Sequence, residues 1–198
     1  MTKLSVPASE RPLKAAERIK RTARILFYGQ GIRAVGVDEI VNQAGVTKPS
    51  LYRSFASKDE LAAAYLVEYD REFWQSFDKA KETYPDDPRA QFLAYLTGLG
   101  QRAAVNGYRG CGLTNAAVEY PAPDHPARIV SLRNKQELRR RLREMAAGMG
   151  AKNPDQLGDG LLLLLEGCYA SGQMFGEGGP AEQVAAVADA LIAAAIAG

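Results

Sequence analysis

The chain has 198 residues, room for one or two domains with a sizeable core, and a formal net charge of only +2, which argues against a protein that coats nucleic acid without regard to sequence. Its two cysteines, Cys111 and Cys168, are too few and too far apart for a disulfide framework. The leucine run Leu161 to Leu165 is far short of the roughly 20 apolar residues of a membrane span.

The charge is unevenly placed. Residues 1–60 carry eleven Lys and Arg against six Asp and Glu, a balance of +5; residues 61–198 carry fourteen against seventeen, a balance of −3. A basic N-terminal module on an acidic body suits phosphate binding by one end. The N-terminus MTKLSVPASERPLK has no apolar run of the kind a secretory signal needs, so a cytoplasmic protein is expected, with no membrane partner. Strand signals are almost absent and alanine is abundant, which predicts an all-helical fold.

Residues 1–9 read as disordered. A first helix is expected from about Glu10 to Tyr28, with Ile19, Ala23, Leu26 and Phe27 as its core stripe and Lys20, Arg21 and Arg24 facing out, where Arg24 is as suited to phosphate as to solvent. Gly29 and Gly31 end it. Asp38 to Gln43 forms a short helix stopped at Ala44-Gly45, since glycine takes the left-handed conformation of many helix stops. Thr47 can cap the next helix and Pro49 suits its first turn. Leu51 and Phe55 share one face of that helix, while Lys48, Tyr52 and Ser50 point elsewhere. Two short helices about a glycine turn, the second polar and basic near its start, make the helix-turn-helix pattern that places its second helix in a DNA major groove.

Ser57-Lys58-Asp59-Glu60 spells a capping box that opens a long helix, about Ser57 to Thr83. Lys58 in its first turn opposes the helix dipole, which a phosphate partner would explain. Asp87 and Pro88 open a helix running to about Val105 with Phe92, Tyr95, Leu96 and Leu99 on one side. A glycine-rich loop, Asn106 to Gly112, precedes a short helix, Leu113 to Tyr120. Asp124 is the expected cap of the next helix, Pro126 to Gly148, whose inner side is read as Ile129, Leu132, Leu138, Leu142 and Met145. Its many arginines are read as a solvated face paired with Glu137 and Glu144 rather than as a second nucleic-acid surface. Asn153-Pro154-Asp155 starts a helix that is apolar almost all round, and Pro180 opens an alanine-rich last helix. So much apolar and small-residue surface on the last two helices predicts a four-helix bundle shared by two copies.

The stretch AGVTKPSLYRSFASKDEL, Ala44 to Leu61, together with Gly31 and Asp38-Glu39-Ile40, resembles the DNA-binding domain of TetR-type (TetR/AcrR) regulators. Ala44, Gly45, Val46, Leu51, Tyr52, Phe55, Lys58 and Leu61 fall on the family's spacing. The likeness is specific over about Arg18 to Leu66, and GCGLTNAAVEYPAPDHP resembles the middle of one broad group of the family. At Val35 and Gly36 the chain departs from the many relatives that carry a phosphate-binding hydroxyl there. The resemblance implies a three-helix DNA-binding domain, residues 10–56, and a helical ligand-binding and dimerisation domain, residues 57–198. It also implies a repressor released from a pseudo-palindromic operator in double-stranded DNA by a small-molecule inducer.

Expected DNA contacts are Thr47, Lys48, Ser50, Tyr52, Arg53 and, through phosphate, Lys58. The expected inducer site draws on Tyr69, Phe73, Phe92, Tyr95, Leu99, Asn115, Glu119 and Tyr169, with Tyr65, Trp74, Tyr108, Leu113 and Val118 as further lining, because aromatics with a few polar groups suit small molecules. Any one of these aromatics is as readily ordinary core. His125, the single histidine, has no second nitrogen or sulfur ligand at metal spacing, so neither metal nor cofactor is expected. Cys111 reads as an inert thiol rather than a redox sensor. No nucleophile elbow, P-loop or dinucleotide fingerprint occurs, and no enzyme is expected; the competing reading is a small-molecule-binding or enzymatic helical domain with a vestigial DNA-binding head.

Overall fold

A computed structural model describes residues 14–197. The expected disorder of residues 1–9 and the expected helix start at Glu10 lie outside these residues. Among them there are ten α-helices, one 3-10 turn and no strand.

Helix α1 (Ala15–Gln30) buries Ile19, Ala23, Leu26 and Phe27, the stripe expected from spacing. Helices α2 (Val37–Ala44) and α3 (Lys48–Ser54) bury Ile40, Val41, Ala44 and Leu51 against it. Gly45 at φ 62° closes α2, and the Val46 N–H bonds back to the Val41 carbonyl at 3.0 Å. Arg18 clamps this turn by donating to the Gly45 carbonyl at 3.0 Å. Ile32 and Val35 complete the core of the head. Val35 therefore serves packing, which a hydroxyl residue would serve less well.

The body consists of α4 (Lys58–Asp78), α5 (Ala80–Thr83), α6 (Pro88–Ala103), α7 (Gly112–Glu119), α8 (Pro126–Gly148), α9 (Pro154–Phe175) and α10 (Val184–Ala197). The expected helix from Ser57 to Thr83 is interrupted at Lys79. At its start the Ser57 hydroxyl accepts from the Glu60 N–H at 3.1 Å. The Glu60 carboxylate accepts from the Ala56 N–H at 2.6 Å, one residue earlier than a standard capping box. Asp87 caps α6 and Asn153 caps α9 as expected. Helix α8 is capped instead by His125, whose Nδ1 accepts from the Ala127 N–H at 3.2 Å, not by Asp124.

The inner face of α8 is Ala127, Ser131, Asn134, Leu138, Leu142 and Ala146. Ile129 and Leu132, expected inside, are exposed, because α4, α7 and α9 press closely on α8 and small residues fill its contact side. The approach of α9 is closest at Gly158, where an added Cβ would lie 2.7 Å from the backbone of Arg143. Across this seam Arg139 and Arg143 bind Asp159, and along α8 itself Arg140 and Arg141 bind Glu137, so these arginines are largely spent on carboxylates.

Helix α10 packs on α6 and α9 through Val184, Ala188 and Ile192. With the 3-10 turn Pro180–Gln183 it forms an 18-residue segment, mean hydropathy 1.4, long and apolar enough by composition to cross a membrane; 22% of it is buried inside the subunit. The run Leu161 to Leu165 alone concealed this, since the apolar character of α10 comes mostly from alanine. Leu163, Gly167, Ala170 and Met174 on α9 and Val187, Ala190 and Leu191 on α10 line an outward apolar face.

Candidate nucleic-acid interface and ligand cavity

The outer side of α3 is built by its cap and by its one buried anchor. The Thr47 hydroxyl accepts from the Ser50 N–H at 3.4 Å and so starts the helix, while Leu51 holds it to the head core. This leaves Thr47, Lys48, Tyr52 and Arg53 exposed and Ser50 half-buried. Tyr52 is 50% exposed. The Lys48 ammonium meets the Asp38 carboxylate of α2 at 2.8 Å, which raises its pKa, and Arg53 donates to the Ser50 hydroxyl at 3.1 Å. Both basic side chains are thus held at the surface in defined positions. An exposed ion pair of this kind is worth little and is readily exchanged for a phosphate. Lys58 stands apart from this face. Its ammonium donates to the Arg33 carbonyl at 3.3 Å, and partial burial lowers its pKa. Arg24, a phosphate candidate, is turned to the body, where its guanidinium grips both carboxylate oxygens of Glu72.

A cavity of about 530 Å³ lies where α1, α4, α6, α9 and the loop before α7 meet. Of the eight residues expected at an inducer site, Tyr69, Phe73, Tyr95, Leu99 and Tyr169 line it. So do Tyr65 and Tyr108. Phe92 is buried in the core away from the cavity. Asn115 and Glu119 face a separate cavity of about 230 Å³ beside α1 and α7. There Asn115 donates to the Arg109 carbonyl at 2.7 Å, and the Glu119 carboxylate accepts from the Arg33 backbone N–H at 2.7 Å. Glu119 therefore ties the end of α7 to the loop between α1 and α2, a contact between body and head. Trp74 sits on the other side of α4 with the Arg141 guanidinium 4.1 Å over its ring. Leu113 is buried core, and Val118 borders the smaller cavity.

The larger cavity has walls that sequence reasoning assigned to the head alone. Arg24, Ile25 and Tyr28 of α1 line it, as do Glu72 and Ser76 of α4 and Arg102 of α6. The clue was available on α1. Ile25 and Tyr28 lie beside the buried Leu26 and Phe27 on a helix whose core stripe was already accounted for, so their apolar surface needed a second neighbour. The Tyr28 hydroxyl accepts from the Arg109 N–H at 3.1 Å and donates to the Gly110 carbonyl at 3.2 Å. The Tyr95 and Tyr169 hydroxyls share a hydrogen bond at 3.2 Å deep in the cavity. Burial pushes the Tyr95 hydroxyl up to about 12 and the Tyr65, Tyr69, Tyr108 and Tyr169 hydroxyls up as well, so all remain protonated at neutral pH.

Cys111 is buried beneath α7, and the Lys135 ammonium donates to its sulfur at 3.5 Å. Lys135 also pairs with Glu166 at 2.7 Å. His125 stacks on Tyr120 with ring centroids 3.8 Å apart and serves as the helix cap.

Residues 19–65, the head and the first turns of α4, match the family described as bacterial regulatory proteins, tetR family. The chain superposes on a TetR-family transcriptional regulator from Streptomyces coelicolor with a TM-score of 0.82 and 31% identity, covering 92% of this chain and 94% of that one. The chain belongs to the TetR family. A second TetR regulator, from Streptomyces avermitilis, superposes with a TM-score of 0.80 and 29% identity over 92% of this chain and 98% of its own. Two curated regulators match shorter stretches of the chain. They are the Escherichia coli repressor BdcR, 40% identical over 55 residues, and the Mycolicibacterium smegmatis activator FasR, 51% identical over 41 residues. These two matches span 28% of this chain and 28% of BdcR, and 21% of this chain and 19% of FasR. TetR-family regulators bind DNA and act as dimers, and the relatives found are transcriptional regulators rather than enzymes.

Proposed function

We propose that this TetR-family regulator is a homodimeric repressor that reads a pseudo-palindromic operator with α3 and releases it when a small molecule occupies the cavity between α1 and α4. Thr47, Lys48, Ser50, Tyr52 and Arg53 make the DNA contacts, with Lys58 supporting the loop at Arg33 and meeting phosphate at the edge. The boundary between head and body falls at Ser57, and the outward apolar face of α9 and α10 joins two copies into a four-helix bundle. Its small residues, Gly167, Ala170 and Ala190, let the helices of the partner come close. The cytoplasm, where its DNA is, is its place of action.

One observation supports the ligand response above the others. Helix α1 belongs to the head, yet its Arg24, Ile25 and Tyr28 form a wall of the cavity opposite Tyr69 and Phe73 of α4. A molecule that fits the cavity better when α1 and α4 stand further apart shifts the two heads away from groove spacing. By linkage, operator DNA weakens that molecule to the same degree. The Lys20–Glu68 and Arg24–Glu72 pairs and the Arg33–Glu119 bond are the contacts this movement strains.

The test is a mobility shift of the full-length protein on the DNA upstream of its own coding sequence, at two salt concentrations with competitor DNA. A specific, dimer-sized shift that weakens with salt is expected, and the same shift then screens small molecules for release. Binding that does not discriminate that DNA, or a site selected from random sequence, from competitor would overturn the reading.

A further inference from the structure

We infer that the larger cavity takes a flat, aromatic, singly charged carboxylate, with the carboxylate at Arg102. The inference rests on the reading of this cavity as the ligand site and adds the chemical class of the ligand.

The shape and surface come first. The volume of about 530 Å³ fits a molecule of one or two fused rings with substituents. Tyrosine and phenylalanine rings from α1, α4, α6 and α9 line it, which favours an aromatic occupant.

The polar groups then decide the charge. The walls hold two guanidiniums, Arg24 and Arg102, and one carboxylate, Glu72. Both oxygens of Glu72 are taken by Arg24, so neither of those charges is free for a ligand. Arg102 has no carboxylate partner among the described residues and lies 5.9 Å from the centre of the Tyr95 ring, at the side of the cavity. The uncommitted charge is therefore positive. An aromatic cage would also attract a cation, but a cation here would have to take Glu72 from Arg24 and stand in the field of a second guanidinium.

The neutral groups have the same bias. Of the two protons on the Tyr95–Tyr169 pair, one lies between the oxygens and the other has no acceptor among the described residues. The cavity thus offers a surplus donor and a surplus positive charge, and the complementary molecule brings an acceptor and a negative charge.

Calorimetric titration of the full-length protein with three probes of one shape tests this: 1-naphthoate, its methyl ester and 1-naphthylmethylammonium. The Arg102→Gln variant, which alters an exposed side chain, accompanies the native chain. The expected result is that 1-naphthoate binds most tightly, and that Arg102→Gln weakens it by about 10-fold, leaves the ester unchanged and keeps the melting temperature of the ligand-free protein. Tighter binding of the ester or the ammonium compound, or unchanged 1-naphthoate binding in Arg102→Gln, would overturn the carboxylate assignment and keep the cavity as a ligand site. Binding of none of the three up to millimolar concentration would overturn the assignment together with the reading of the cavity.

Discussion

Replacing Glu119 by alanine should weaken operator binding although Glu119 is placed to touch neither DNA nor the larger cavity. Its carboxylate accepts from the Arg33 backbone N–H at 2.7 Å and so fastens the loop between α1 and α2 to the end of α7. A hydrogen bond to a charged group contributes about 1.5–3 kcal/mol when buried. This one is partly solvated, and solvent reduces it to about 1 kcal/mol. A dimer carries two such bonds, so about 2 kcal/mol of the preference for docked heads is lost, equivalent to roughly 30-fold in affinity. Glu119→Gln keeps an acceptor without the charge and should lose about half as much free energy. Fluorescence anisotropy with a labelled operator at fixed salt measures the effect, and circular dichroism confirms that the helices and the melting transition persist. Operator affinity that is unchanged or increased in a folded Glu119→Ala protein would refute the idea that this contact holds the heads in their DNA-binding positions.

Leu51→Ala removes the one buried side chain of α3 and should destabilise the head by about 2–5 kcal/mol, seen as a lower melting temperature or a separate early transition in the full chain. Leu163→Glu places a charge on the outward face of α9, where Leu163 is 73% exposed in one subunit, and should convert the dimer to monomer in analytical ultracentrifugation while leaving helix content unchanged. On the surface of α8, bonds from Arg140 and Arg141 hold the Glu137 carboxyl down to about 2 from its ordinary 4.5. Its folded value is depressed, so its contribution to stability is present above pH 4.5 and is lost as pH falls towards 2. Glu137→Gln should therefore flatten the acid side of the stability curve, read from denaturant midpoints between about pH 5 and pH 2.5.

Much of the head was legible because its elements obey local rules. Thr47 caps, Gly45 stops and Leu51 anchors within a few residues of one another, and the buried stripe of α1 follows helical spacing. The helix starts at Asp87 and Asn153 are local in the same way. What the sequence concealed depends on partners distant in the chain. Ile129 and Leu132 are apolar but face outward, because Gly158 brings the α9 backbone against Arg143 and fixes which side of α8 is inner. Lys58 and Arg24 looked like free cations, yet Lys58 has the Arg33 carbonyl as its partner and Arg24 has Glu72. The cavity was half visible. The aromatics of α4, α6 and α9 were evident as a set, but the contribution of Ile25 and Tyr28 needed the docking of α1 on α4, and away from the larger cavity Asn115 bonds the loop before α7 and Glu119 the head.

Whether α3 reads DNA is decided by comparing the full-length protein with a Lys48→Ala, Tyr52→Ala double variant on a site selected from random DNA. Anisotropy at one salt concentration gives the affinities, with nonspecific DNA as the reference. Removal of either side chain should cost about 1–3 kcal/mol. With two residues truncated in each of two heads, binding to the selected site should fall by more than about 100-fold, and binding to nonspecific DNA by much less. Equal affinity of the native and variant proteins for the selected site would mean that α3 does not read the operator.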